Sequence, residues 1–289
     1  MKLNDQPLSA GLYLVATPIG AARDITLKAL DILAAADLIA AEDTRTTRRL
    51  LDIHGISLGH RRLIAFHDHS GAAATNGLVA AMKDGRSVAC VSEAGTPLIA
   101  DPGFELARAA RANGLPVTAA PGASAVLAAL TVGGLPTDRF AFLGFLPSTQ
   151  AARRTTIAAL RDIQMTLVIY ESPKRLAALL ADLRDVLGAE REARVCRELT
   201  KRFEDVVPGT LESLAERYAG EAVKGEIVVL VGAATGNEVS DESVEDALRT
   251  ALRSMRMKDA ATAVAGALGL PRREVYQIAL GMSEKDGGR

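Results

Sequence analysis

The densest run of chemistry-bearing residues lies between Val91 and Gly103, VSEAGTPLIADPG. An apolar stretch, SVACV, stops there and gives way to glycines, prolines and carboxylates. Neither a helix interior nor a ladder strand holds such residues for long. A strand followed by a glycine-rich turn is where an open α/β sheet binds ligands, at the carboxyl ends of its strands. Gly95 would let a ligand approach its amide because no Cβ intervenes. Thr96 supplies a hydroxyl, and the Glu93 carboxylate can accept from a ribose hydroxyl or an ammonium. ATPIG (16–20), PGASA (121–125) and GEIVV (225–229) share this texture. Any one of them reads equally well as a plain turn. Four, spread over both halves of the chain, imply one cleft between two lobes.

Acids and bases cluster at the ends of other apolar runs. In AAEDTRTTRRLL, Glu42 and Asp43 stand where catalytic groups tend to sit, followed by Arg45, Arg48 and Arg49. The same residues read as a helix start, with Asp43 or Thr44 capping free amides and acidic charge favoured there. YESPKR (170–175) and CRELTKR (196–202) repeat the order of strand, carboxylate and basic pair. Six dibasic pairs occur, beginning at 48, 61, 153, 174, 201 and 272. Solvated faces account for most such pairs, but several follow strand ends, where positive charge around a cleft mouth would dock phosphates. The dinucleotide fingerprint, the phosphate loop, the nucleophile elbow and the HExxH zinc motif are all absent. The four histidines fall between His54 and His69. His67 and His69 flank Asp68, but without further ligand spacing they read as a polar rim, and no metal is expected.

The elements that must position these residues alternate. Short β-like runs (LYLVA, LIAA, RRLIAF, SVACV, PVTAA) are separated by helical stretches with brief links, which is the pattern of parallel βαβ units. The texture changes between Pro121 and Pro136. After a helix over ASAVLAALTVGG come strand FAFLGF, helix RRTTIAALRDI, strand MTLVIYES, helix KRLAALLADLRDVLG, strand ARVCREL and a closing pair around GTLESLAERY and GEIVVLVGAA. The second half therefore reads as a mixed sheet. The expected organisation is an α/β lobe over 11–125, a second lobe over 126–234, and a polar linker with a helical tail over 235–289. In that tail, two helices join at Gly269, with Pro271 at a favoured first helical position. This is helix–turn–helix spacing. Residues 249–273 carry six basic side chains and one acid, which reads as a nucleic-acid contact or as a solvated helical cap.

The chain has 289 residues, enough for two cores, with 48% apolar and 24% charged residues. A net charge of −1 argues against a broadly basic nucleic-acid coat. Cys90 and Cys196 lie in apolar runs and read as buried thiols of a reducing compartment. The N-terminus lacks the order of a signal peptide, and no window approaches 18 apolar residues. A cytoplasmic protein away from membranes is expected.

Nine motifs in order carry a resemblance: LYLVATPIG, DITLKAL, LIAAEDTR, VSEAGTPLIADPG, PGASA, GLPTDRFAFLGFLP, YESPKR, RELTKRFE and KGEIVVLV. From Gly11 to Gly232 the sequence resembles the tetrapyrrole-methylase superfamily of S-adenosylmethionine methyltransferases, most closely its rRNA-methylating members. The tail resembles an extra helix–turn–helix segment that many of them carry. The resemblance implies a two-lobed tetrapyrrole-methylase fold, a homodimer, and S-adenosylmethionine in the cleft between lobes. It implies 2′-O-methylation of a cytidine in the decoding region of 16S rRNA, as naked RNA or in the small ribosomal subunit. Carried over, the cofactor is held by Pro18, by Ser92, Glu93, Ala94, Gly95, Thr96 and Pro97, by Ser124 and Ala125, by Tyr170, and by the Glu226–Ile227 backbone. Glu42 or Asp43 is the candidate base. Arg45, Arg48, Lys174, Arg197, Lys201, Arg272 and Arg273 are the candidate RNA contacts. The chain departs from the family pattern at Glu93 (usually Asp), at Ala21–Ala22–Arg23 (usually Asn-Leu-Glu) and at Lys174 (usually His). The rivals are a C-methyltransferase of a porphyrin-like ring and a ribosome-binding factor without chemistry.

Overall fold

The computed structural model describes residues 6–67, 70–101, 103–234, 241–268 and 270–286. The first half forms β1 (Gly11–Val15), α1 (Leu27–Ala35), β2 (Leu38–Ala41), α2 (Thr44–Ile53), β3 (Arg62–Ala65), α3 (Gly71–Lys83), β4 (Ser87–Val91), α4 (Phe104–Ala112) and β5 (Val117–Ala120). The strands pair in the order β3-β2-β4-β1-β5, and every pair is parallel. Helices cover both faces, which is why β2 and β4 are buried at every position and read as unbroken apolar runs. One core packs Leu30, Leu33, Ile39 and Leu51 on one face; Leu12, Leu78, Met82 and Leu106 fill the other.

Helix α5 (Ala125–Gly133) follows, ended by Gly134 at φ +69 in the left-handed turn that closes many helices. It lies against a second sheet, where Val126, Ala129 and Leu130 meet Val168, Val228 and Leu230. A Cβ on Gly133 would collide with Leu230. The second sheet comes from β6 (Phe140–Phe145), β7 (Thr166–Glu171), β8 (Glu192–Arg197), β9 (Asp205–Thr210) and β10 (Ile227–Val231), in the order β6-β7-β10-β8-β9. Only β6 and β7 run parallel, so the sheet is mixed. Its other face is closed by α6 (Gln150–Ala158), α7 (Leu176–Leu187) and α8 (Leu211–Tyr218). Strand β9 is missing from the sequence expectation because Pro208 interrupts it. At a sheet edge, facing only Arg194 of β8, the absent N–H costs no ladder bond. LESLAERY, expected within a closing pair, is helix α8, started by a Thr210–Ser213 capping box.

Residues 1–233 form one compact unit and 234–289 another. The second unit has α9 (Asp241–Leu252), α10 (Met257–Leu268) and α11 (Arg272–Asp286) around Leu248, Ala261, Val264, Val275 and Ala279. Pro271 stands one residue earlier than expected. Its carbonyl accepts from the amides of Glu274 and Val275, so it caps α11 from outside. The linker residues 235–240, the turn residue Gly269 and the pair Asp68 and His69 lie outside the described residues.

Between α6 and α7, Asp182 is buried and accepts from Arg153 Nε at 2.7 Å and Gln150 Nε2 at 3.0 Å, and Arg154 lies 3.2 Å away. Arg153 is itself buried. Asp182→Ala leaves that guanidinium buried without its carboxylate and should cost about 3–5 kcal/mol. The fall will appear as a lower urea midpoint by circular dichroism.

Candidate active site where two sheets meet

The loops that leave the carboxyl ends of β1 and β4 are joined by a pair of backbone hydrogen bonds, and Thr17 Oγ1 adds a bond to Ser92 O at 3.3 Å. Thr17 N donates to Gly95 O at 2.8 Å, and Gly95 N donates to Thr17 O at 3.0 Å. Ser92 Oγ donates to Gly95 O at 2.7 Å, and Thr96 Oγ1 to Ala123 O at 3.0 Å. This corrects three expectations. The Gly95 amide is spent on Thr17 and is not offered to a ligand. Glycine is required there because φ is +88 and a Cβ would sit 3.3 Å from Ile19. The Ser92 hydroxyl turns inward and Pro97 is buried, so both brace the loop without lining the cleft. The Thr96 hydroxyl ties this loop to the PGASA segment.

Opposite stand the loops after β7 and β8 and the entry to β10. Glu198 N donates to Glu226 O at 2.9 Å, and Glu226 N to Glu198 Oε1 at 3.0 Å. Lys201 Nζ lies 2.9 Å from Glu198 and 3.0 Å from Glu226. Two expectations change with this. Both backbone groups of Glu226 are occupied within the protein. Lys201 is clamped by two carboxylates in the cleft wall, so its charge is neutralised and it is no free phosphate contact. The Glu226 amide and Lys201 hold the Glu198 carboxyl below its usual range. Among the described residues, the four non-glycine residues in left-handed conformation, Leu98, Ala100, Glu198 and Thr200, all belong to these two facing loops. Such strain persists where the surroundings over-determine it, and that is common at binding sites.

The cleft between these loops measures about 800 Å³ and lies within residues 18–228. Of the expected residues it gathers Pro18, Glu93, Ala94, Gly95, Thr96, Ser124, Ala125, Tyr170, Glu226, Ile227, Glu42 and Lys201. Glu42 Oε2 accepts from the Glu93 amide at 3.2 Å. Asp43 is outside the cleft as the N-cap of α2. Its Oδ1 accepts from the amides of Arg45 (2.7 Å) and Thr46 (3.2 Å), and its Oδ2 from the Arg45 guanidinium (3.2 Å). The Arg45 side chain and those amides hold the carboxyl below the usual carboxylate range, which makes Asp43 a poor base. Burial, and then the charges of Glu42, Asp43 and Glu226, push Glu93 up, against Arg45. Burial lifts Tyr170 to about 12, so its hydroxyl stays protonated.

Apart from Lys201, the expected RNA contacts within residues 1–233 do not line the cleft. Arg45 and Arg48 are exposed on α2 outside it, Lys174 is exposed beyond Pro173, and Arg197 faces Asp205 at 3.8 Å. Arg272 and Arg273 are exposed at the start of α11, in the other unit. Sequence reasoning missed Thr46 and Arg49, which do line the cleft. Their i, i+3 spacing puts them on one face of α2, and that spacing was the available signal. Asp101 and Phe145 were missed as well. His67 Nδ1 lies 2.7 Å from Ser70 Oγ, and His54 Nε2 lies 2.9 Å from Ala22 O. Among the described residues no three His, Cys, Asp or Glu side chains gather to hold a metal. Cys90 and Cys196 are buried, and burial pushes each to about 12, so both are thiols.

The lining suits a ligand that is cationic in one part and flat and apolar in another. Glu42, Glu93, Asp101 and Glu226 supply negative charge, while Pro18, Ile19, Ile227, Val228 and Tyr170 supply apolar surface. The volume falls within the roughly 300–1,000 Å³ typical of small-molecule sites. S-adenosylmethionine, with a sulfonium, an ammonium and an adenine, fits that chemistry.

Two lobes with a cleft at their strand ends, covered on their outer faces by helices, are the architecture of a methylase class. The chain belongs to the tetrapyrrole (corrin/porphyrin) methylase family, whose model matches residues 11–215, and it is a methyltransferase. A second model, the RsmI C-terminal HTH domain, matches residues 238–283. The chain is similar to the ribosomal RNA small subunit methyltransferase I of Mesorhizobium japonicum, at 45% identity over 98% of this chain and 95% of that protein. It is also similar to the protein of the same name from Synechocystis sp., at 41% identity over 96% and 99%. Among solved structures it is similar to uroporphyrin-III-C-methyltransferase from Thermus thermophilus, with a TM-score of 0.56 and 25% identity over 78% of this chain and 96% of that one.

Glu93 titrates above its unfolded value, so its ionisation opposes folding at neutral pH and not in acid. Glu93→Gln should therefore raise the thermal midpoint at pH 7. The gain should shrink as pH falls through the raised value and vanish below about 4, the ordinary glutamate range. Thermal melts of both proteins between pH 3 and 7 read this directly.

Proposed function

We propose that the protein methylates the ribose 2′-hydroxyl of a cytidine in the decoding region of 16S rRNA, with S-adenosylmethionine as donor. The observation that carries this reading is similarity over almost the whole length, tail included, to proteins named for small-subunit rRNA methylation. The cleft chemistry supports the donor. Pro18, Ala94, Ser124, Ala125, Tyr170 and Ile227 would hold it, with Glu93 and Glu226 near its cationic groups. When bound, the donor supplies an activated methyl group on a sulfonium.

The chain's own part is alignment and proton removal. A ribose hydroxyl is a weak nucleophile, and a positioned base helps it. Glu42 takes that role because it is the carboxylate at the end of β2 that faces the cleft, while Asp43 is committed to the start of α2. The strained, mutually bonded loops hold both reactants in place, and such fixing of geometry is worth several orders of magnitude. Phosphates dock on exposed cations, among them Arg48, Lys174, Arg272 and Arg273. A homodimer is supported by the exposed apolar side chains Leu127 and Val132 of α5 and Phe140 of edge strand β6. Among the described residues no helix is long and apolar enough to cross a membrane. A cytoplasmic location follows from the rRNA substrate.

The porphyrin-ring reading rests on the Thermus structure, at lower identity and without the tail. Mass-spectrometric mapping of ribose methylation in small-subunit rRNA, with and without this gene, decides between the two. Loss of one 2′-O-methyl cytidine is expected, and an unchanged map overturns the reading. Glu42→Gln should lower the single-turnover rate by roughly 10²–10⁴. Asp43→Asn should lose stability before rate, on the order of 1 kcal/mol for a weakened cap. A full rate in Glu42→Gln removes the base and leaves positioning alone.

A further inference from the structure

Strand β6 contains a device whose effect is confined to one side chain. Phe142 pairs with Val168 of β7, and Phe145 with Tyr170, yet Phe142 and Phe145 are three positions apart while Val168 and Tyr170 are two. The register shifts between Phe142 and Gly144, and Gly144 adopts φ +61. Side chains three apart in a regular strand point to opposite faces. The extra residue reverses that parity, so Phe142 and Phe145 both meet the Tyr170 ring, at centroid distances of 4.8 and 5.7 Å. Phe142 is packed in the core beneath α5, whereas Phe145 is 58% exposed in the cleft wall. Bulges of this kind re-aim a side chain beside a binding site. Without the bulge, Phe145 would turn to the face covered by α6 and α7, where an aromatic ring could be buried. The fold instead holds a large apolar ring in water at the mouth of the site.

We infer that Phe145 is the stacking platform for the base of the nucleotide whose ribose is methylated. The inference rests on the rRNA reading above. A ribose brought into the cleft carries its base one glycosidic bond away, so the base must lie against a cleft wall. In structured RNA a base presented in this way is unstacked from its neighbours and gains most from an aromatic face. Phe145 and Tyr170 are the aromatic residues of the lining. Tyr170 is half-buried, with Phe142 and Phe145 against its ring, which leaves Phe145 as the open face. Stacking tolerates any base, so Phe145 contributes affinity and placement, not base identity.

The test uses the full-length protein and small ribosomal subunits from cells lacking this gene. Phe145→Ala should raise KM for subunits by about 5- to 150-fold, the range of one lost base–aromatic stack. Phe145→Leu, apolar but without a π face, should fail similarly, and Phe145→Trp should restore the wild-type value. Calorimetric affinity for S-adenosylhomocysteine should be unchanged in all three, and so should the solution mass by light scattering. Lost cofactor affinity would move the ring to the donor's adenine, and a changed mass would make it a contact between copies; either overturns the inference. Equal KM in Phe145→Ala and wild type overturns it as well. A wild-type protein inactive on these subunits overturns the functional reading itself, and the inference with it.

Discussion

Two main-chain hydrogen bonds between Thr17 and Gly95 fix the loop after β1 to the loop after β4. Parallel neighbours normally diverge beyond their last ladder residue, because each chain must turn toward its own helix. Joining them there demands close approach of backbones, and the local sequence shows the consequences. Gly95 takes a left-handed φ against Ile19, and Gly122 has no Cβ where Ala16 would lie 2.9 Å away. The hydroxyls of Ser92 and Thr17 then bond main-chain carbonyls of the loop after β4, and that of Thr96 bonds Ala123 O in the PGASA segment. The result is a rigid floor presenting backbone and small side chains. Such a floor admits a ligand closely and leaves recognition to the walls.

The walls carry the charge. Burial first, and then the charges of Glu42, Asp43 and Glu226, lift Glu93, and Lys201 pairs only with the Glu198–Glu226 side. Residual negative charge in a partly desolvated cleft favours a cationic occupant and gives it up more readily once the charge is gone. In the proposed reaction the donor loses its sulfonium charge on turnover. The same electrostatics that attract the donor therefore help discharge the spent molecule.

Most of the fold was legible because its signals are local. Apolar runs bounded by Gly and Pro located nine of the ten strands among the described residues, and the change from uniform to alternating β segments located the mixed sheet. Strand β9 escaped because Pro208 is a breaker in general and harmless only at an edge, and edge position is a property of the finished sheet. The cleft residues were legible as types but not as roles. Ser92, Gly95, Thr96 and Lys201 stand in or beside the expected loops, yet their polar groups are satisfied within the protein by partners 3 to 78 residues away, which no spacing reveals. Asp43 is the reverse case: its capping partners are two and three residues on, so that reading was available from the start. Phe145 was invisible because strand parity alone gives the wrong face, and only the bulge corrects it.

An acidic cleft raises a conflict with a polyanionic substrate. At close range the phosphates of RNA would be repelled by the carboxylates that favour the donor, by an amount that grows as water is excluded. Within the cleft, Lys201 is already shared by two glutamates, and Arg49 also lines it. Further exposed cations, Arg45 and Arg48 of α2 and Lys174 beyond Pro173, stand outside that lining. Separating the two charges lets each be strong. Binding energy gathered remotely on the backbone can be spent holding one nucleotide against the repulsion at the site. That arrangement selects for a substrate large enough to touch both regions and against a free nucleotide, which would meet only the acidic part. Under the rRNA reading proposed above, an extended RNA surface would be favoured because these charges are kept apart, with no base-specific contact required.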